Sequence, residues 1–156
     1  MPHGQVVRIA SAMEIIDSSI LCSLASFVVV GWLLAVRTGG PFHRAAVAAA
    51  AFHPVASFGL FCSLAIHMRR FDGWPRVIGY EGFPPALVAH GQIALFAFET
   101  LLLGSLFVWP VAVLLCALVP RMRPALRYLG VYACTGGMAV GAMLLAPDPF
   151  LYWWMD

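Results

Sequence analysis

Four long apolar runs, parted by short polar or proline-rich breaks, dominate this 156-residue chain. They cover about residues 20–36, 45–68, 86–119 and 126–146. About 20 apolar residues in a row is the length of a helix crossing a bilayer's hydrocarbon core. Inside hydrocarbon every backbone N–H and C=O must be paired by the chain itself, which helices and closed barrels achieve. No run alternates with the period of two that a barrel strand needs. The pattern therefore predicts an all-α fold: one membrane domain over residues 1–156, built as a bundle of four transmembrane helices. Composition agrees, with 62% hydrophobic and 10% charged residues, where a soluble domain carries about 25% charged. A soluble globular domain, a disordered chain and a disulfide-stapled scaffold are all excluded.

The breaks between runs are explicit. The first run ends at Arg37 and the turn Thr38-Gly39-Gly40-Pro41, and the second at Arg69-Arg70. Pro84-Pro85 opens the third and Pro120 closes it; Pro147-Asp148-Pro149 closes the fourth. The third run is longer than one straight crossing and too short for two crossings with a turn. One long, tilted helix bent near Pro110 is expected. Upstream of the first run, Val6–Ile16 has apolar residues at helical spacing with polar interruptions. It is either an interfacial helix or a continuation of the first span. Glu14 and Asp17 stand where a signal peptide would be basic, and no A-x-A site follows. The first run thus reads as a span, not a cleaved leader.

All nine basic residues are Arg, the net charge is +2, and no basic run exists. A nucleic-acid partner is excluded on that ground. Arg37, Arg44, Arg121, Arg123 and Arg127 occupy the two short turns with no acidic residue among them. Arg8, Arg69, Arg70 and Arg76 share the other side with Glu14, Asp17, Asp72, Glu81, Asp148 and Asp156. The positive-inside rule puts the two Arg turns in the cytoplasm. Both termini then lie on the outer, periplasmic side of a bacterial inner membrane, with Trp74, Tyr80, Tyr152, Trp153 and Trp154 as an aromatic belt. The four cysteines fall one per run with no CxxC, a pattern of small buried residues.

Ionisable groups inside a span are costly, so His53, His67, His90 and Glu99 are the candidates for function. His53 and His67 lie 14 residues apart, which at about 100° per residue puts them on one helix face. Small residues (Ala46, Ala49, Ala50, Ala56, Ser57) share that face and leave room for a helix or a flat cofactor. The interval resembles the spacing by which cytochrome b-type helices stack two haems, a likeness of spacing in one helix. His67, at the end of the second run, and His90, near the start of the third, should meet at one depth on antiparallel neighbours. Two facing histidines can hold a b-type haem iron, with Arg69 and Arg70 placed to meet its propionates. The bland alternative makes both histidines interfacial residues among headgroups, and His53 a partner for a backbone group freed by Pro54. Met138 lies at a depth similar to that of His53 and is a further possible ligand.

Glu99 is nine residues from His90, about half a turn away, and so points to the opposite face. It suits a proton relay, a quinone hydroxyl or a partner's basic group. Gly137 and Gly141 form a GxxxG, extended by Ala133, that suits close helix packing. No nucleotide, serine-hydrolase or zinc-protease motif is present,. The expected function is a small, at most electron-transferring subunit of a respiratory or photosynthetic complex, surrounded by lipid and other membrane subunits. Haem b is the first cofactor candidate. Bacteriochlorophyll on His53, a quinone, or a structural anchor with no cofactor are the alternatives. A small transporter ranks third, since no internal repeat accompanies the prolines of the second and third runs.

Overall fold

The computed structural model describes residues 3–38, 41–72 and 82–155, and side chains from residue 19 onward within them, except that of Asp72. The elements are α1 (His3–Arg37), α2 (Arg44–Asp72), α3 (Pro85–Leu103), a π turn (Gly104–Val108), α4 (Trp109–Leu118), a 3-10 turn (Pro120–Ala125), α5 (Leu126–Met143) and α6 (Asp148–Met155). No strand occurs among the described residues. Ser19–Arg37, Arg44–Phe71 and Pro85–Leu118 are each long and apolar enough to cross a membrane. A fourth such span exists if Pro120–Met143 and Asp148–Met155, bent by 111°, are counted as one.

α1 takes in the Val6–Ile16 stretch without a break, so that segment continues the first helix. Its serines are accommodated locally: Ser23 and Ser26 donate to the carbonyls of Ser19 and Cys22, at 2.8 and 2.7 Å. Such back-bonding removes an unpaired hydroxyl from an apolar face. In the third run, Pro110 cannot donate to the carbonyl one turn before it. The helix widens there instead of kinking sharply, and the Trp109 N–H reaches back to the Gly104 carbonyl. A single wide turn of this kind absorbs the mismatch and keeps Pro85–Leu118 one span,.

α5 is the hub. It packs on α1, α2 and α4, while α3 packs on α2. Its contact with α1 is a backbone-to-backbone approach. A methyl group on Gly130 would collide with the Gly31 carbonyl and lie 2.7 Å from the Ala35 nitrogen. One on Gly31 would lie 2.7 Å from the Ala133 Cβ, and one on Gly137 would strike Val28. The packing stripe is therefore Gly130, Ala133 and Gly137 of α5 against Ala35, Gly31 and Val28 of α1. Gly141, the second glycine of the sequence motif, faces open space. At the Arg-rich end, Arg127 ties the two short turns together. It donates from Nη1 to the Pro41 carbonyl (2.7 Å) and from Nε to the Pro124 carbonyl (2.9 Å).

α6 departs from expectation. The amides of Phe150 and Leu151 bond to the Pro147 carbonyl at 2.9 and 3.1 Å, starting a helix that turns back into the bundle. Trp153 and Trp154 are each 1% exposed and Phe150 is 0% exposed, whereas Tyr152 is 58% exposed. Their rings meet Phe61, Phe83 and Phe98 at centroid distances of 4.9–5.3 Å, tilted or edge-on. Edge-on and offset packing of this kind stabilises aromatic clusters beyond area burial. Trp153 and Trp154 are thus core residues and not members of an interfacial belt. The 111° bend makes the difference, because it returns the apolar side of a helix too short to span. Trp74 and Tyr80 lie outside the described residues, as do the side chains of Arg8, Glu14, Asp17, Asp72, Arg76, Glu81 and Asp156.

The glycine geometry separates two substitutions by sign. Gly130→Ala should destabilise the bundle by about 1–3 kcal/mol, because backbone atoms must move. Gly141→Ala should be neutral or stabilising by up to about 1 kcal/mol through helix propensity. Unfolding of both variants in detergent micelles measures this; shifts of equal sign and size would be inconsistent with the α1–α5 contact.

Candidate functional site

α2 and α3 meet along a seam in which each helix buries residues at alternating intervals of three and four. On α2 these are Pro54, Ser57, Phe61, Leu64 and Met68; on α3 they are Leu87, Gly91, Ala94, Phe98 and Leu101. This rhythm keeps one stripe of each helix on the other's surface. The pairing is antiparallel, as cross-links at both ends show: His67 meets His90, and His53 meets Thr100. The depth match read from the chain therefore does bring His67 and His90 together.

The polar groups beside this seam are bonded to one another. Ser63 Oγ lies 2.9 Å from the Leu60 carbonyl and 2.9 Å from His90 Nε2. His90 Nδ1 lies 3.3 Å from His67 Nδ1. A hydroxyl has one proton and a carbonyl can only accept, so with neutral rings one assignment satisfies all three contacts. Ser63 donates to Leu60, His90 Nε2–H donates to Ser63, and His67 Nδ1–H donates to His90 Nδ1. His67 Nε2 is left with a free lone pair, on a side chain exposed at the end of α2. Deeper in the seam, Ser57 Oγ donates to the Ala97 carbonyl at 3.2 Å. Thr100 Oγ1 donates to the same carbonyl at 2.9 Å and so accepts from His53 Nε2 at 3.1 Å. His53 is then the Nε2–H tautomer, with Nδ1 free. Its bond goes to Thr100 and not to a backbone group released by Pro54.

This geometry bears on which groups the site can hold. Two imidazole nitrogens on opposite sides of one metal, each at about 2.0–2.1 Å, stand roughly 4 Å apart. The facing Nδ1 atoms are 3.3 Å apart, and the rings are 5.6 Å between centroids and 40° from parallel. In this arrangement the two rings hold each other through that contact and leave no gap for a haem plane between them. What they present outward is His67 Nε2, oriented by the hydrogen bond to His90. That is the pattern in which one histidine ligates and a second partner sets its tautomer. No group of three or more His, Cys, Asp or Glu side chains converges among the described residues.

The remaining candidates are dispersed. Arg69 and Arg70 are exposed just beyond His67. His53 borders a cleft of ≈ 320 Å³ between α2, α4 and α5, lined also by Ala49, Ala50, Ala112, Tyr128 and Tyr132. Met138 is exposed in a separate groove beside Val55 and Phe58. Glu99 is exposed on the side of α3 turned away from the seam. Ser63 and Thr100, which set the tautomers of the histidines, are single hydroxyls in apolar runs. Their one signal in the sequence is that each sits close to the depth of a histidine on the facing helix.

The tautomers give a direct test. ¹⁵N spectra of imidazole-labelled protein should show His90 protonated at Nε2 and His67 at Nδ1. Ser63→Ala should remove the preference at His90. A His90 protonated at Nδ1 in the unsubstituted protein would reverse the assignment. Comparison of the chain with protein-family models, curated proteins and solved structures finds no match.

Proposed function

We propose that this chain is a small integral membrane subunit of a multi-subunit electron-transfer complex, carrying a b-type haem against the outward face of His67. The observation that carries the reading is the oriented histidine pair at the end of apolar helices long enough to cross a bilayer. His90 fixes the ring of His67 and leaves Nε2 as a lone-pair donor, while Arg69 and Arg70 stand beside it for anionic groups such as propionates. A haem supplies reversible one-electron chemistry when bound. His67 would hold its iron, and His90 would orient His67. A group held on the outside of α2 needs a second wall, which another subunit would supply.

The same reading places the five Arg of the two short turns in the cytoplasm and both termini on the outer side of a bacterial inner membrane. A second reading has one observation in its favour. His53, with Nδ1 free, borders the ≈ 320 Å³ cleft, where the magnesium of a bacteriochlorophyll could find an imidazole ligand beside small Ala side chains.

An absorption spectrum of the complex isolated in mild detergent separates these readings. A reducible Soret and alpha band is expected. His67→Ala should abolish it, and His90→Ala should weaken haem retention by about 10–100-fold. His53→Ala should leave it intact. A near-infrared band lost with His53→Ala would favour the second reading, and a colourless wild-type complex would overturn both. A reporter fused after Asp156 tests the topology: alkaline phosphatase should be active there, and an inactive one paired with an active cytoplasmic reporter would invert it.

A further inference from the structure

α3 carries two stripes at the same three-and-four spacing, and the bundle uses one. The buried stripe, Leu87, Gly91, Ala94, Phe98 and Leu101, faces α2 and α6. On the opposite side Gln92, Phe96, Glu99 and Leu103 follow at intervals of four, three and four, and all are exposed. Phe96 is 67% exposed and Leu103 55%, so this is an unpartnered helical seam. Two of its four positions are polar. Neither Gln92 nor Glu99 makes a hydrogen bond or ion pair among the described residues.

Depth makes Glu99 the decisive member. His67, His90 and the Arg69-Arg70 pair mark one rim of the span. Glu99 is nine residues further along α3 than His90, or about 14 Å at 1.5 Å per residue. That is close to the middle of a hydrocarbon core about 30 Å thick. A carboxyl held there against lipid tails is costly, and its side chain is too short to reach the rim. The described Arg side chains all stand at helix ends or in the turns, so none of them can supply a cation at this depth.

We infer that the Gln92–Phe96–Glu99–Leu103 face of α3 docks a transmembrane helix of another subunit that carries a basic side chain at the depth of Glu99. Charge complementarity selects that occupant. A second copy of this chain would bring Glu99 against Glu99 in a parallel pairing, and no Arg from the described residues to neutralise either. Phe96 and Leu103 flank the carboxyl by one turn on each side and would exclude lipid from the ion pair, as apolar seam positions do around a buried polar one. Gln92 would add a second, neutral hydrogen bond that fixes the register. The inference rests on the membrane-spanning reading of the chain.

The test uses the full chain, fluorescently labelled and reconstituted into phosphatidylcholine vesicles, with synthetic Leu/Ala transmembrane peptides as probes. One peptide carries a single Lys at its centre, one carries the Lys about two turns nearer an end, and one carries none. Energy transfer should show association with the central-Lys peptide about tenfold tighter than with the others. Glu99→Leu should remove that advantage while leaving helix content unchanged; Glu99→Gln should reduce it, and Phe96→Ala should weaken all central-Lys association. Equal binding of the three peptides, or no effect of Glu99→Leu, would overturn the proposal. Energy transfer between copies of the chain that depends on Glu99 would overturn it in favour of self-association. A chain that fails to float with the vesicles would overturn the membrane reading itself, a result distinct from insertion without peptide preference.

Discussion

The close approach of α1 and α5 is the contact from which the rest of the bundle follows. Where the Gly31 carbonyl lies on Gly130, neither helix has room for a methyl group. In a bilayer, which three of these helices are long and apolar enough to cross, apolar side chains would gain nothing by leaving lipid for a helix surface, since both are hydrocarbon. Close backbone packing and shape are then what hold helices together, and small residues allow it. With α5 drawn against α1, its other sides are offered to α2 and α4. Arg127 closes the Arg-rich end by binding the carbonyls of Pro41 and Pro124, one in each short turn.

At the other end a different chemistry takes over. Phe150, Trp153 and Trp154 return on α6 and fill the space beside α2 and α3 with stacked and edge-on rings. The α2–α3 seam ends there in a run of donors and acceptors, each used once. Buried or half-buried polar groups are tolerated when every proton has an acceptor. The seam meets that condition through its hydroxyls: Ser57 donates to the Ala97 carbonyl, and Ser63 and Thr100 take the Nε2 protons of His90 and His53. His67 is the end of this chain of bonds. Its exposed nitrogen is the point at which internal order becomes available to something outside the bundle.

Glu99 poses the reverse case. The seam polar groups have partners, while this carboxyl and Gln92 face outward with none among the described residues. This asymmetry of α3, one stripe satisfied and one not, is the observation on which the docking proposal rests.

Hydropathy along the chain located the three helices long and apolar enough to cross a membrane, and a fourth only where the bent pair Pro120–Met143 and Asp148–Met155 counts as one. It also determined the Arg-rich turns and the shared depth of His67 and His90, which follow from antiparallel neighbours of known rise. It did not distinguish Gly130, pressed on a backbone, from Gly141, open to its surroundings, because both sit at small-residue positions of one helix. Nor did it show that Trp153 and Trp154 turn inward, since an aromatic residue after a span suits the headgroup region equally well. Which nitrogen of each histidine carries the proton depended on Ser63 and Thr100, brought within reach by packing. These choices belong to the tertiary structure for one physical reason. In a chain this apolar, the inside and the outside of the bundle are chemically alike, and only contact tells them apart.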